Sequence, residues 1–233
     1  MSHTTLVCLP FAGSGASFFR PWRDLAPSAL HVVAPQLPGR EWRIGEEPAK
    51  DVDSAVTALL DDVLDQGVEG RVALFGHSFG GVLAFELARR LLTVGDLELV
   101  HLFPSGSPDP WTPRTRRAAG LADEDFLRRV EEFAGYSHEA LAAPEMRELI
   151  LPTLRGDVEM HESYVADTAQ PLPVPVTALR GRTDHLVSAA ETAGWSRATT
   201  AEFTVTEFDG GHMYVTDGAG QLLTLIEHVT APS

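Results

Sequence analysis

The sequence predicts an α/β fold built on a mainly parallel sheet. Short apolar runs alternate with longer amphipathic segments, the runs are rich in Val, Leu, Thr and Phe, and several end at Pro or Gly. Strands that alternate with helices in this way form parallel sheets covered by helices on both faces. The 233 residues are enough to bury such a core, and we expect a single domain over residues 1–233.

Six apolar runs are predicted to be strands. They are Thr4–Leu9, Leu30–Ala34, Arg71–Phe75, Leu97–Phe103, Pro175–Leu179 and Glu202–Phe208. The amphipathic segments predict helices, because their apolar residues recur at helical spacing while their charged residues can face water. These segments are Asp51–Asp65, Gly80–Leu92, Ala189–Thr199 and Asp217–Val229.

Residues 105–170 interrupt this alternation. A turn-rich run at Pro104–Pro113 is followed by helical segments around Asp123–Phe133, Pro144–Leu154 and Asp157–Val165, without a good strand. Strand and helix alternate again from Pro175, so we expect a helical insertion within one α/β core. Its apolar residues either line a chamber or form ordinary helix packing; they are Phe126, Val130, Phe133, Leu141, Met146 and Leu149.

The motif Gly76-His77-Ser78-Phe79-Gly80 follows a predicted strand and opens a predicted helix. This order is typical of a nucleophile elbow, in which a strained turn lifts a serine hydroxyl clear of the sheet. Ser78 is therefore the candidate nucleophile. The backbone amide of Phe79, at the helix N-terminus, is the candidate donor to a developing oxyanion. The alternative is a glycine-rich turn whose serine only caps the helix.

A serine nucleophile needs a base, which in α/β-hydrolases follows the serine and the acid in chain order. Of nine histidines, His212 lies after the last predicted strand, in a loop whose glycines let the imidazole return over the sheet end. We therefore expect His212 to be the base. His77 lies inside the elbow and is expected to face away from the nucleophile.

Three aspartates are candidates for the acid that orients the base. Asp184 lies just beyond the fifth predicted strand, at the end where such sheets carry their sites, and it is the first choice. Asp109, beyond the fourth strand, is the reserve. Asp209 is too near His212 in sequence to be a natural partner. For each of them the alternative is an aspartate that only shapes a turn.

The loop after the first strand can supply the second amide of an oxyanion hole. Its glycines let backbone amides approach a ligand, and either Phe11 or Ala12 is expected to donate. The glycine spacing does not fit a dinucleotide-binding loop. Cys8 lies inside the strand and is expected to be a core residue rather than a nucleophile.

Composition argues against several classes of function. The chain has 18 Lys and Arg against 33 Asp and Glu, a net charge of −15, which argues against binding nucleic acid or anionic membrane. A single cysteine excludes an internal disulfide framework or a multi-cysteine metal site. There is no signal-peptide pattern and no apolar run of membrane-spanning length, so we expect a cytoplasmic protein, with a monomer as the default.

The chain resembles the type II thioesterases that accompany polyketide synthases and nonribosomal peptide synthetases. The resemblance spans nearly the whole chain and is carried by Leu9–Gly13, Pro35–Arg40 with Glu41 and Arg43, the elbow, Leu154–Asp157 to Tyr164, Gly181–Asp184 and Phe208–His212. Family members usually have Met after the serine. Phe79 is therefore a departure, expected to alter the acyl pocket more than the chemistry.

The resemblance implies an α/β-hydrolase fold in which the helical insertion, about residues 105–170, is a lid. It also implies hydrolysis of acyl groups from the phosphopantetheine arm of acyl or peptidyl carrier proteins, which clears stalled or misprimed chains. Ser78 would attack the thioester, His212 would take its proton and Asp184 would orient His212. No metal or cofactor is needed, because the phosphopantetheine belongs to the carrier protein.

The sequence leaves two alternative functions open. The same fold also supports small-molecule carboxylesterases and lipases, since a fold does not determine its substrate. A non-catalytic α/β-hydrolase binding module is the second alternative. The presence of Ser78, Asp184 and His212 in the required order argues against that module.

An acidic enzyme that meets acidic carrier proteins must dock through local basic windows. One candidate window is Arg114, Arg116 and Arg117. The other is residues 1–43, where Arg20, Arg23, Arg40 and Arg43 stand against two acids, a net charge of +2. The alternative is that these arginines are solvated or form internal ion pairs.

Overall fold

The computed structural model describes residues 3–134, 143–167 and 170–231. In these residues one sheet contains β1 (Thr4–Leu9), β2 (Leu30–Val33), β3 (Gly70–His77), β4 (Leu97–Ser105), β5 (Val176–Gly181) and β6 (Phe203–Phe208). The strand order is β2-β1-β3-β4-β5-β6, and every neighbouring pair is parallel. The predicted parallel α/β class is therefore confirmed.

The described helices flank this sheet or connect its strands. They are α1 (Arg20–Leu25), α2 (Val52–Asp65), α3 (Phe79–Leu91), α4 (Asp123–Ala134), α5 (Pro144–Ser163), α6 (Ala189–Ala193) and α7 (Ala219–Thr230). The helix predicted at Ala189–Thr199 is α6 followed by a 3₁₀ segment, Gly194–Ala198. Helix α1 was not predicted, because six residues are too few for a helical period to be recognised.

The central strands are apolar on both sides because both faces of the sheet are covered. In β3, Val72 and Leu74 pack in one hydrophobic cluster together with residues of α2 and α3. Ala73 and Phe75 pack on the opposite face with residues of α1 and α7. Cys8 of β1 is completely buried in this second cluster, as expected for a core residue.

The segment between β4 and β5 is helical, but its second half differs from the prediction. Two helices were expected there, whereas α5 is one continuous helix, Pro144–Ser163, that passes through Pro152. An internal proline costs a helix about 3 kcal/mol. Packing offsets this cost, since Leu151, Leu154 and Val158 are buried in one cluster with residues of α4.

The apolar residues of this segment differ in exposure, and Val130 and Phe133 are partly buried against the cluster that contains Phe126. Phe126 is completely buried against α5. Met146 and Leu149 are exposed on α5. Leu141 lies outside the described residues. Within the described chain, no helix combines the length and the apolar character that crossing a bilayer requires.

Candidate active site

Ser78 lies at the junction of β3 and α3 in a strained conformation. Its φ of +54° is in the left-handed region, which a residue with a side chain enters only at a cost. Two glycines make this turn possible. A Cβ on Gly76 would lie 1.9 Å from the carbonyl oxygen of Gly80, and a Cβ on Gly80 would lie 2.3 Å from that of Leu9. The local geometry is that of a nucleophile elbow.

His212 and Asp184 meet above the carboxyl ends of β5 and β6. Nδ1 of His212 lies 2.9 Å from Oδ2 of Asp184. The other carboxylate oxygen of Asp184 accepts hydrogen bonds from the amides of Leu186 at 2.8 Å and Val187 at 3.0 Å. Burial acts to raise the pKa of this carboxyl, but His212 and the two amides outweigh it and hold the pKa below its usual range. Asp184 is thus an ionised, fixed partner for the imidazole.

The loops that carry these two residues are held together by backbone contacts. The amide of Arg182 donates to the carbonyl of Phe208 at 2.7 Å, and the amide of Thr183 donates to that of Gly210 at 3.0 Å. Gly181 allows this approach, because a Cβ there would lie 2.1 Å from the carbonyl oxygen of Gly211.

Ser78, Asp184 and His212 all line one cavity of about 470 Å³, which we call the site cavity. The structure therefore brings the three predicted triad residues into one place. The two candidates for the second oxyanion donor, Phe11 and Ala12, line the same cavity. In the described part of the chain, no group of three or more His, Cys, Asp or Glu side chains is arranged to hold a metal ion.

The other two candidate acids are bound elsewhere. Asp109 is buried, accepts hydrogen bonds from Thr112 and the amide of Trp111, and pairs with Arg197 at 2.5 Å. Asp209 is exposed and pairs with Arg182. The carboxylate partner of His212 is Asp184, the first of the three candidates.

Phe79 directly follows Ser78 in the chain. It is the first residue of α3, where amides have no acceptor within the helix. Its side chain is buried in the main core rather than lining the site cavity, and its ring centroid lies 5.5 Å from that of His161. Phe79 therefore affects the cavity only through residues such as His161.

His77 belongs to the surroundings of the triad, although the sequence indicated only that it would face away from the nucleophile. Its ring centroid lies 5.0 Å from that of His212. Its Nδ1 shares a 2.9 Å hydrogen bond with Oγ of Ser105, which in turn is 2.7 Å from the hydroxyl of Tyr214. Burial, and secondarily the proximity of His212, lower the pKa of His77 well below its usual range, so it packs there as a neutral ring.

The expectation that Arg40 forms part of a docking surface is wrong. Arg40 is buried and makes two 2.7 Å hydrogen bonds to the two carboxylate oxygens of Asp157 on α5. The same pair holds the loop after β1, because Asp157 accepts from the amide of Gly13 at 2.8 Å and Arg40 donates to the carbonyl of Ser14 at 2.9 Å. The amide of Gly13 is thus engaged, while Phe11 and Ala12 both remain candidates for the oxyanion hole.

Other predicted docking arginines are also engaged. Arg43 pairs with Glu46 at 2.6 Å. Arg114 donates to His161 at 3.1 Å on the wall of the site cavity. Arg116 is exposed and donates to the carbonyl of His185. The exposed members of the proposed windows are Arg20, Arg23, Arg116 and Arg117.

Sequence reasoning missed His161 and Asp157, and it gave an internal ion pair of Arg40 only as the alternative to docking. Asp157 had a signal, since it lies in one of the segments that carry the family resemblance, but its partner is 117 positions away. His161 lies in the same segment, but a single histidine in an amphipathic segment does not indicate which cavity it lines.

The chain is similar to known thioesterases in sequence and in structure. The model of the thioesterase domain family matches residues 4–230. The gramicidin S biosynthesis protein GrsT of Aneurinibacillus migulanus is 32% identical over 94% of this chain and 85% of that protein. Thioesterase PikA5 of Streptomyces venezuelae is 35% identical over 93% of this chain and 77% of that protein. The structure of the type II thioesterase BorB from the borrelidin biosynthetic cluster superposes with a TM-score of 0.83, at 36% identity over 97% of this chain and 92% of that one.

Proposed function

The chain belongs to the thioesterase family, as its resemblance to type II thioesterases predicts, and from its site we propose that Ser78, His212 and Asp184 form the catalytic triad of a thioester hydrolase. The observation that carries this proposal is the 2.9 Å contact between His212 and Asp184 in the cavity that Ser78 lines. A serine in an elbow and a carboxylate-bound imidazole are the components that acyl transfer requires.

The proposed reaction has two steps. His212 takes the proton of Ser78 through Nε2 as the serine oxygen attacks the thioester carbonyl, and the amides of Phe79 and of Phe11 or Ala12 donate to the oxyanion. The intermediate collapses, the thiol leaves with a proton from His212, and the acyl group remains on Ser78. His212 then activates a water molecule, which releases the carboxylic acid and regenerates the serine.

A thioester extends from its carbonyl on two sides, the acyl group and the thiol group. Two concavities that meet beside the proposed triad match these two sides. The site cavity shares Phe11 and Met213 with a second groove, which lies along the loop after β1 and α5 and includes the exposed Met146 and Leu149. We place the acyl group in the site cavity and the phosphopantetheine arm in the second groove. A small oxygen ester would have no use for a second arm site, which favours the thioesterase over a carboxylesterase that acts on small esters.

The proposed partner is an acyl or peptidyl carrier protein. Relatives of this chain come from the biosynthesis of gramicidin S and of borrelidin, as the names of GrsT and BorB state, and such pathways imply carrier-bound substrates. In this proposal, the segment of about residues 105–170, with α4 and α5, is the lid of a single-domain enzyme. The enzyme acts as a cytoplasmic monomer and needs no cofactor of its own.

The experiment that tests this function measures hydrolysis of acyl-pantetheine thioesters by the wild type and by Ser78→Ala. We expect the variant to lose nearly all of the rate, and equal rates would contradict the role of Ser78. The second comparison offers the wild type an acyl-carrier protein and an oxygen ester of the same acyl group. A strong preference for the oxygen ester would favour the carboxylesterase alternative, and no hydrolysis of either would favour a binding module.

A further inference from the structure

Arg114 is a partly buried cation on the wall of the site cavity. Its Nε donates a 3.1 Å hydrogen bond to Nε2 of His161, which lines the same cavity. Its Nη1 is buried and has no hydrogen-bond partner among the described residues. Buried donors are almost always satisfied in folded proteins, and buried charges are almost always paired. The guanidinium thus has one nitrogen, Nε, in a hydrogen bond and another, Nη1, without an acceptor among the described residues.

The carboxylates near Arg114 are committed to other groups. Glu162 accepts hydrogen bonds from two backbone amides, at 2.6 and 3.0 Å. Glu191 caps the first turn of α6, and Asp109 pairs with Arg197. Among the described residues, no carboxylate forms an ion pair with Arg114. Asp109 and Glu191 therefore act on Arg114 only through longer-range electrostatics, and no described residue accepts a hydrogen bond from its Nη1.

Arg114 is nevertheless charged at neutral pH, and His161 is not. Burial lowers the pKa of Arg114 to about 10, against the opposing charges of Asp109 and Glu191, which leaves it protonated in the physiological range. Burial, followed by the charges of Arg114 and His212, lowers the pKa of His161 well below its usual range. A neutral His161 accepts from Arg114 through Nε2, so it orients the guanidinium instead of repelling it.

Apolar side chains form much of the wall around this cation. They include Val130, Phe133, Leu154, Val158 and Leu186. A purely alkyl acyl chain would cover these side chains but would leave the guanidinium without an acceptor. A carboxylate at the far end of the chain would satisfy it, since a guanidinium binds carboxylates through charge-assisted hydrogen bonds.

We propose that Arg114, oriented by His161, is a specificity-determining residue that binds carboxyacyl groups, in which the acyl chain ends in a carboxylate. The inference rests on the proposed function, because it places the acyl group in the site cavity. A site with an unpaired buried donor discriminates strongly against an analogue that lacks the matching acceptor. The enzyme would therefore favour thioesters of dicarboxylic acids over thioesters of simple alkanoic acids of equal length.

The test compares two series of pantetheine thioesters with equal carbon numbers, namely glutaryl, adipyl and pimeloyl against pentanoyl, hexanoyl and heptanoyl. We expect wild-type kcat/KM to be at least tenfold higher for one or more carboxyacyl thioesters than for the alkyl thioester of the same length. Arg114→Met should remove this preference, because kcat/KM should fall more for the carboxyacyl thioesters than for the alkyl thioesters. Arg114→Lys should keep part of it. Arg128→Met, at an exposed arginine of α4, is the matched control and should keep the full preference.

Equal wild-type kcat/KM for the two series, or equal losses on both in Arg114→Met, would overturn the inference. If Arg114→Met does not fold, calorimetric binding of glutaryl-pantetheine and pentanoyl-pantetheine to Ser78→Ala decides the question, and pentanoyl-pantetheine binding as tightly as glutaryl-pantetheine contradicts the carboxylate site. Failure of the proposed function has a different outcome. In that case the wild type hydrolyses neither series, or Ser78→Ala hydrolyses both at the wild-type rate.

Discussion

Arg40 and Asp157 form a buried ion pair that joins the loop after β1 to helix α5. Both nitrogen–oxygen distances are 2.7 Å, and the side chains are 9% and 1% exposed. Because the pair also binds Gly13 and Ser14, it determines where the neighbouring amides of Phe11 and Ala12 lie. Helix α5 thus takes part in positioning the proposed oxyanion hole.

Asp157→Asn should reduce both stability and turnover. The substitution leaves the buried guanidinium of Arg40 without its counter-ion, and breaking such a pair costs roughly 3–5 kcal/mol of unfolding free energy. We expect kcat to fall roughly tenfold to a hundredfold, because a displaced loop misplaces the oxyanion donor, while KM changes little. Thermal unfolding and steady-state kinetics with an acyl-pantetheine measure the two effects.

The double variant Arg40→Met with Asp157→Leu separates positioning from stability. Apolar replacement of a buried ion pair is often neutral for stability, so much of the lost unfolding free energy should return. Turnover should stay low, because Gly13 and Ser14 still lack their side-chain partners. Recovery of kcat together with stability would show that the pair only stabilises the fold.

Asp184→Asn should lower kcat by roughly 10²- to 10⁴-fold, since an amide cannot hold the imidazole in the tautomer and charge state that a carboxylate selects. Asp109→Asn is the comparison, because Asp109 binds Arg197 and Thr112. Its effect on kcat should be small, apart from any loss of stability. A larger loss of kcat in Asp109→Asn than in Asp184→Asn would reverse the assignment of the acid.

The ionised Asp184 should also make stability depend on pH in the acid range. Its pKa is lower in the folded protein than in the unfolded chain, where an aspartate titrates at about 3.9. The stability that it contributes is therefore present above about pH 4 and is lost as the pH falls through the lower folded value. In unfolding titrations, the stability difference between wild type and Asp184→Asn should narrow below about pH 4, and a difference that widens there would contradict the lowered pKa.

Two glycine-to-alanine substitutions should have opposite effects. A Cβ on Gly156, inside α5, meets nothing within 4 Å, so Gly156→Ala should stabilise the protein by roughly 1 kcal/mol through helix propensity. A Cβ on Gly80 would lie 2.3 Å from the backbone oxygen of Leu9, which cannot move freely, so Gly80→Ala should destabilise the protein and lower kcat. Melting temperatures decide both, and a stable, fully active Gly80→Ala would contradict the close approach of α3 to β1.

Charge reversal at Arg116 and Arg117 should weaken activity on an acyl-carrier protein and spare a small acyl-pantetheine. Both side chains are exposed, and an acidic partner would encounter them beside the site cavity. The loss should appear in kcat/KM and diminish at high salt. Arg128→Glu on α4 is the control for added negative charge. Equal losses on the two substrates would show that these arginines shape the cavity instead of docking the partner.

The strands and the elbow could be predicted from sequence because their signals are local. Buried parallel strands are short apolar runs, and a serine between two glycines after such a run restricts the backbone at that point. The prediction failed where long-range packing outweighs local preference. Helix α5 continues through Pro152 because Leu151, Leu154 and Val158 are buried against α4, which no local pattern indicates.

The parallel α/β class, the family and the chain order of Ser78, Asp184 and His212 could all be read from the amino-acid sequence. These properties depend on local patterns and on strand order, which a single chain displays directly. Only the tertiary structure decided the internal pairing of Arg40 with Asp157, the contact between His212 and Asp184, and the unpaired Arg114 in the site cavity. The effect of a charged side chain on stability and on binding depends on the groups that surround it in the folded protein. Folding brings those partners together from positions far apart in the chain, and burial then decides whether a missing partner matters.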